Sequence, residues 1–252
     1  MATTFEGVRE SEIQDYGPGE IIFTQGEDAE CMYVVLEGEV TLRVGGAVVA
    51  TVGEGGVMGE MALLERAPRS ALAEAVGDVR LLPVDPNRFQ VLLIQHPEFA
   101  RTVLKAMTER LRSMNIAAGG TGGEAGTPRI SDSTSRILFA MKGQAGFPAG
   151  ATIFKEGDRG DHMYFVQSGT VELRVGGKAV HEIEVGGFFG EMALIDNAPR
   201  SATAHAATDC RLMPVDRRKF EYLITMTPGF VIEMMRVIAG RLRAMNRMGS
   251  DP

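Results

Sequence analysis

An acid and a base nine residues apart, Glu60 and Arg69, recur 131 residues later as Glu191 and Arg200, each pair inside the same short cassette. The first copy reads GEMALLERAPRSALA from Gly59, and the second reads GEMALIDNAPRSATA from Gly190. A guanidinium offers a planar fork of donors that matches a phosphate or a carboxylate, and it keeps its charge. Pro68 and Pro199, directly before the arginines, fix φ and so help to aim the chain. Ser70 and Ser201 add a small hydroxyl donor just after them. On the other flank, Gly55-Gly56 and Gly59 allow backbone N–H groups to approach a ligand closely, and the run Glu60 to Leu64 can form a helical turn whose N-terminus attracts an anion. This chemistry is recognition of one phosphate beside a hydrogen-bonding carboxylate. The candidate residues are Gly59, Glu60, Met61, Ala62, Arg69 and Ser70, with Gly190, Glu191, Met192, Ala193, Arg200 and Ser201 as their counterparts. A plain surface ion pair between Glu60 and Arg69 is the competing reading, and such pairs contribute little. Against it, these residue types recur while Leu64-Glu65-Arg66 between them gives way to Ile195-Asp196-Asn197.

The elements that must position the cassette form a larger repeat. Residues 19–115 match 150–246 without a gap, and 44 of the 97 paired positions are identical, so every loop keeps its length. Each copy begins with short β-branched or aromatic runs, Ile21 to Phe23, Met32 to Val35 and Val40 to Val44, broken by Gly26, Gly38 and Gly45-Gly46. Such turn-marked runs predict a β-roll or jelly roll, and Gly-Gly after Leu-Arg-Val is a hairpin signal. Ala71, Ala73 and Ala75 alternate as a strand leaving the cassette would. After Pro83-Val84-Asp85 the period becomes helical at Phe89, Leu92 and Leu93. Pro97 then opens a second helix with an apolar seam of Leu104, Met107, Leu111 and Met114, repeated as Met235, Ile238, Leu242 and Met245. The fold class is therefore mainly β with flanking helices: two tandem β-roll domains, each followed by two C-terminal helices. Domain boundaries are expected at 1–116 and 131–252, joined by a glycine-rich flexible linker at 117–130.

Composition narrows the function classes. With 44% hydrophobic and 23% charged residues the chain is ordinary globular material, and 252 residues accommodate two cores. The net charge of −7 opposes a nucleic-acid partner, whose affinity rests on Lys and Arg. No apolar run approaches the roughly 20 residues of a membrane span and no basic-then-apolar signal opens the chain, so no membrane partner and a cytoplasmic location are expected. Cys31 and Cys210 fall at non-equivalent positions and read as isolated thiols. The histidines, His96, His162, His181 and His205, are scattered, and no metal or cofactor is expected. No nucleophile and base set or triphosphate loop is found, and Arg69 cannot act as a general base, so the chain is not expected to be an enzyme.

The order Phe-Gly-Glu-Met-Ala-Leu, a short variable loop, then Pro-Arg-Ser-Ala-Thr-Ala at 189–194 and 199–204 resembles the phosphate-binding cassette of the cyclic nucleotide-binding domain family. That family includes the catabolite activator proteins, kinase regulatory subunits and nucleotide-gated channels. The resemblance implies that Glu60 and Glu191 accept a hydrogen bond from the ribose 2′-OH, that Arg69 and Arg200 pair with the cyclic phosphate, and that Ser70 and Ser201 contact it. Amides at Gly59, Gly190 and the next residues would complete the cradle. It further implies cAMP as the ligand, with cGMP second, because serine rather than threonine follows each arginine. Asn115 and Asn246, late in the last helices, become candidate base contacts, with a helix-ending role as the other reading. The first copy departs from the pattern at Met58, where the second has Phe189, and at Leu72, where the second has Thr203.

Only six residues follow Asn246, too few for a helix-turn-helix, so no DNA-binding domain is expected; with no docking helix or basic inhibitor segment read before residue 19, the kinase partner of the regulatory subunits is not carried over by the resemblance. The expected function is a two-pocket cAMP receptor that repositions its C-terminal helices for an unidentified protein partner. A scaffold with vestigial pockets, and a regulatory subunit of an unidentified enzyme, are the alternatives. The narrow helical seams suit two parallel helices, within one chain as a pseudo-dimer or between chains as a homodimer.

Overall fold

The computed structural model describes residues 10–117, 130–131, 134, 138 and 143–248, with the backbone alone at 115–117 and 247–248. Most of the expected linker, and the side chain of Asn115, lie outside the described residues. The first repeat runs β1 (Gln14–Tyr16), β2 (Ile21–Phe23), β3 (Met32–Glu37), β4 (Val40–Val44), β5 (Ala47–Val52), β6 (Val57–Met58), α1 (Glu60–Glu65), β7 (Leu72–Ala75), β8 (Val79–Val84), α2 (Pro86–Gln95) and α3 (Pro97–Ala117). The second runs β9 (Ala145–Phe147), β10 (Thr152–Phe154), β11 (His162–Ser168), β12 (Val171–Val175), β13 (Lys178–Ile183), β14 (Phe188–Phe189), α4 (Met192–Ile195), β15 (Thr203–Ala206), β16 (Cys210–Asp216), α5 (Arg217–Met226) and α6 (Pro228–Met248).

Each repeat builds two four-stranded antiparallel sheets. In the first they are ordered β1-β8-β3-β6 and β2-β7-β4-β5, and in the second the corresponding strands take the same order. Even the register irregularities repeat. They fall between Ile21 and Phe23, Val35 and Glu37, and Leu42 and Arg43, and again between Thr152 and Phe154, Val166 and Ser168, and Leu173 and Arg174. Alternation explains the fold of each strand. Along β4, Val40, Leu42 and Val44 are buried while Thr41 and Arg43 are half-exposed, as a sheet with one inward face requires. The inward residues of both sheets, among them Phe23, Val35, Leu42, Val52, Ala73 and Leu81, form one core.

Two features deliver the chain to the cassette and carry it away. The β6 strand pairs with β3 through Tyr33 opposite Met58, so the cassette begins where the sheet ends. After β8, the Asp85 carboxylate accepts from the Asn87 and Arg88 amides and starts α2; Asp216 starts α5 by accepting from the Lys219 amide. The four seam residues of α3 and the four of α6 are buried, Met114 less fully than the rest. Backbone proximity divides the chain into two compact units, Met1–Arg110 with Asn246–Pro252, and Leu111–Met245, so α3 belongs to one unit through Arg110 and to the other from Leu111.

Gly38 separates β3 from β4 at φ +85, and a Cβ there would lie 2.4 Å from the Asp78 carbonyl oxygen. Gly46 has the same φ of +85 with open space around it. Gly46→Ala should therefore cost only the left-handed strain, about 1–2 kcal/mol. Gly38→Ala should cost a further ~1–3 kcal/mol for the overlap. Urea titration of the two variants beside the parent chain checks the difference; equal midpoints would contradict it.

Candidate functional site

The arginine of each cassette is buried, only 5% exposed in both copies. Arg69 lies over the Phe23 ring, 4.2 Å from its centroid, and its Nη1 donates to the Gly59 carbonyl at 3.2 Å. Arg200 repeats this over Phe154 at 4.0 Å, donating to the Gly190 carbonyl at 2.8 Å. The glycines are obligatory for this approach: φ is +79 at Gly59 and +78 at Gly190, and a Cβ would stand 2.3 Å and 2.7 Å from the respective Nη1 atoms. Both Nε atoms are buried without a hydrogen-bond partner among the described residues. A desolvated guanidinium with an unused donor is costly unless an anion arrives to take it. Burial lowers the Arg200 pKa from its ordinary value, against the opposing pull of Tyr164, Asp161 and Glu191.

Further donors converge on the same place. Among the described residues no side chain caps the N-terminus of α1 or α4, whereas aspartates cap α2 and α5; in α4 the Leu194 amide donates to the Glu191 carbonyl, and the amides before it have no side-chain acceptor. Among the described residues the Ser70 and Ser201 hydroxyls donate to thioether sulfur, Met61 Sδ at 3.5 Å and Met192 Sδ at 3.3 Å. A thioether is a weak acceptor that a phosphate oxygen would readily replace. Met61, Ala62, Met192 and Ala193 are buried beneath these turns.

Glu60 and Glu191 are not surface residues paired with the cassette arginines. They are fully buried, and each is held by an arginine of the last helix: Arg110 Nη1 donates to Glu60 Oε1 at 2.7 Å, and Arg241 Nη1 to Glu191 Oε1 at 2.6 Å. The same arginines reach the carbonyl two residues before each cassette glycine, Arg110 that of Val57 and Arg241 that of Phe188. Glu60 Oε2 is buried with no partner among the described residues, so one carboxylate oxygen stays open for a hydroxyl donor. These two arginines were legible only in part from the sequence. They stand within the repeated stretches Arg110 to Asn115 and Arg241 to Asn246, whose asparagines are the base-contact candidates. The charge balance of a buried glutamate is the signal that finds them, and burial is not visible in the sequence.

Asn246 is buried near the end of α6. The two pockets also differ in detail. Phe189 stacks with Tyr164 and packs on Phe154, while Met58 replaces it in the first repeat. Thr203, opposite in the repeat to Leu72, accepts from the Glu156 amide at 3.0 Å. His181, which stands where the first repeat has Ala50, is two residues before the buried Ile183 and so shares its inward face. Desolvation, with the Arg241 charge second, pushes the His181 pKa down to about 4. Cys31 and Cys210 are both free thiols, Cys210 buried with its Sγ donating to the Thr170 carbonyl. No group of ligating side chains among the described residues could hold a metal ion, and no single helix there is long and apolar enough to cross a membrane.

Two β-rolls, each with a glycine-backed arginine and a buried glutamate tied to the following helix, define a nucleotide-binding module used twice. The profile of the Cyclic nucleotide-binding domain family matches residues 13–96 and 145–226, and the chain belongs to that family. Among curated proteins it is 27% identical over 225 residues to the cAMP-dependent protein kinase regulatory subunit of Debaryomyces hansenii, covering 88% of this chain and 46% of that one. The Yarrowia lipolytica protein of the same name is 29% identical over 212 residues, covering 82% and 52%. The chain thus spans about half the length of these relatives. Among solved structures, the regulatory domain of Toxoplasma gondii PKA with cAMP is 23% identical, covers 90% of this chain and 89% of its own, and superposes with a TM-score of 0.34.

Removing Arg110 should destabilise the first repeat, because Glu60 would keep a buried charge without its counter-ion. Arg110→Ala is expected to cost about 3–5 kcal/mol, and the pair Glu60→Gln with Arg110→Met to recover most of it. Chemical denaturation of the two variants tests this, and a single variant as stable as the parent would contradict the pairing.

The depressed His181 pKa sets a second expectation. The folded chain disfavours the charged imidazole, so this contribution to stability is complete above the unfolded value of about 6.5 and is lost as pH falls toward 4. His181→Gln should flatten the pH dependence of the urea midpoint between those limits. An unchanged acid limb would mean that His181 protonates as freely folded as unfolded.

Proposed function

We propose that the chain is a cyclic nucleotide receptor with two pockets, cAMP preferred over cGMP, that signals to a protein partner through its last helices. The observation that carries this reading is the unpartnered Nε of a buried arginine beside uncapped first-turn amides, present in both repeats. A cyclic phosphate supplies the missing anion. Its ribose 2′-OH can donate to the cassette glutamate, whose other oxygen is held by Arg110 or Arg241 of the last helix. Ligand and helix thereby share one carboxylate. Binding favours the helix position compatible with both, a population shift bounded by the ligand's differential affinity for the two positions.

Serine after each arginine supports cAMP as the first ligand, and Asn115 and Asn246 are kept as base contacts. The relatives' names make the catalytic subunit of a protein kinase the first partner class to test. A receptor reading is favoured over a vestigial scaffold because the donors that a phosphate would need are assembled in both pockets.

The purified chain should bind about two cyclic nucleotides. Arg69→Ala and Arg200→Ala should each remove one, with a loss of about 2–4 kcal/mol, or roughly 30- to 1000-fold in affinity. Isothermal calorimetry with cAMP and with cGMP measures both stoichiometry and preference. Unchanged stoichiometry and affinity in the double variant would refute the assignment.

A further inference from the structure

The loop that carries Arg200 to its place is short and held at both ends. It leaves α4 at Asp196, turns through Asn197 in the left-handed region at φ +55, and passes Ala198 and Pro199 to reach the arginine. Arg217 holds its outer side, donating to the Leu194 carbonyl and to Asn197 Oδ1, both at 3.0 Å. The other anchor is Arg112, from the end of α3. Its Nε donates to Asp196 Oδ2 at 2.8 Å, its Nη2 lies 2.7 Å from the same oxygen, and its Nη1 donates to the Pro199 carbonyl at 2.9 Å. One guanidinium thus spans the loop from its first residue to the residue bonded to Arg200. Arg112 and the loop belong to the same compact unit, Leu111–Met245, although Arg112 lies in the sequence of the first repeat.

The Asp196 side chain is only 5% exposed. Its Oδ1 accepts from the Ala198 amide at 3.0 Å, and Arg112 supplies the cation that a buried carboxylate requires. Without that cation the carboxylate would move toward water and draw the loop with it. Arg200 has little room to follow, since its amide donates to the Asp158 carbonyl at 2.8 Å and its Nη1 must keep the Gly190 carbonyl. On the same helix, two residues earlier, Arg110 holds Glu60 of the first cassette.

We propose that Arg112 is a positioning residue for the second pocket: it neutralises Asp196 and holds the Asp196–Pro199 loop so that the Arg200 guanidinium faces the phosphate. The second pocket is therefore complete only with the end of α3 in place. This rests on the phosphate-binding reading of Arg200, but the loop itself can be followed without ligand.

The test uses the full chain carrying Arg69→Ala, so that ligand reports on the second pocket alone. Hydrogen exchange without nucleotide should show faster exchange at the 196–200 amides in Arg112→Ala, with the rest of the second β-roll unaltered. Cyclic AMP affinity should fall about tenfold, the size expected for loss of a charge-assisted contact. Arg112→Lys, which keeps the charge but not the fork, should fall between the two. Adding Asp196→Asn to Arg112→Ala removes the uncompensated buried charge while keeping the Oδ1 acceptor for the Ala198 amide, so it should recover part of both protection and affinity, which a general packing role for Arg112 would not produce. Unchanged loop exchange in Arg112→Ala, or no recovery in the double variant, overturns the inference. Faster loop exchange with recovery in the double variant, in a chain that binds no cyclic nucleotide, would leave the loop anchor standing and remove the phosphate reading instead.

Discussion

A carboxylate sealed inside a protein needs a cation within reach, and in both repeats that cation is delivered by the last helix. Glu60 and Glu191 are inaccessible to water, and Arg110 and Arg241 approach them from α3 and α6. Burying one partner without the other costs several kcal/mol, so the helix is tied to the cassette electrostatically. In the proposed receptor, a ligand that changes the electrostatics at the glutamate changes the hold on the arginine, and with it the most stable position of the helix that carries it.

The neighbouring arginines serve the opposite purpose. Arg69 and Arg200 are buried, and their direct contacts among the described residues are aromatic ring faces and one carbonyl, with no carboxylate within ion-pair distance. Cation–π contact contributes on the order of 1–2 kcal/mol when desolvated, less than full desolvation costs. The remainder is offset by the rest of the fold, and in the proposed function a bound anion relieves it. One cassette therefore contains a satisfied charge pair that links it to a helix and an under-satisfied charge.

Internal repetition separates what this arrangement requires from what it tolerates. The glycines at positive φ, the glutamate, the proline and the arginine are held constant, as are the strand order and the register irregularities. The divergent positions lie around them: Met58 against Phe189, Ala50 against His181, Glu65-Arg66 against Asp196-Asn197. Such changes alter the walls and the loop while the contacts around the arginine and the glutamate stay the same in both repeats.

The sequence by itself determined the tandem architecture and the first layer of each site. A gapless repeat, period-two strands and a change to helical spacing after Asp85 and Asp216 are local properties, readable because each follows from backbone geometry over a few residues. The glutamate, arginine and serine of the cassette were legible for the same reason, lying within twelve residues of one another. The tertiary structure alone decided which charges face each other. Arg110 meets Glu60 across fifty residues, and Arg112 meets Asp196 across eighty-four. Nothing in either local stretch marks an arginine as a core ion-pair partner, because an exposed helix arginine and a buried one have the same letter. The distinction arises only when folding removes water from the carboxylate and leaves the arginine as its counter-charge.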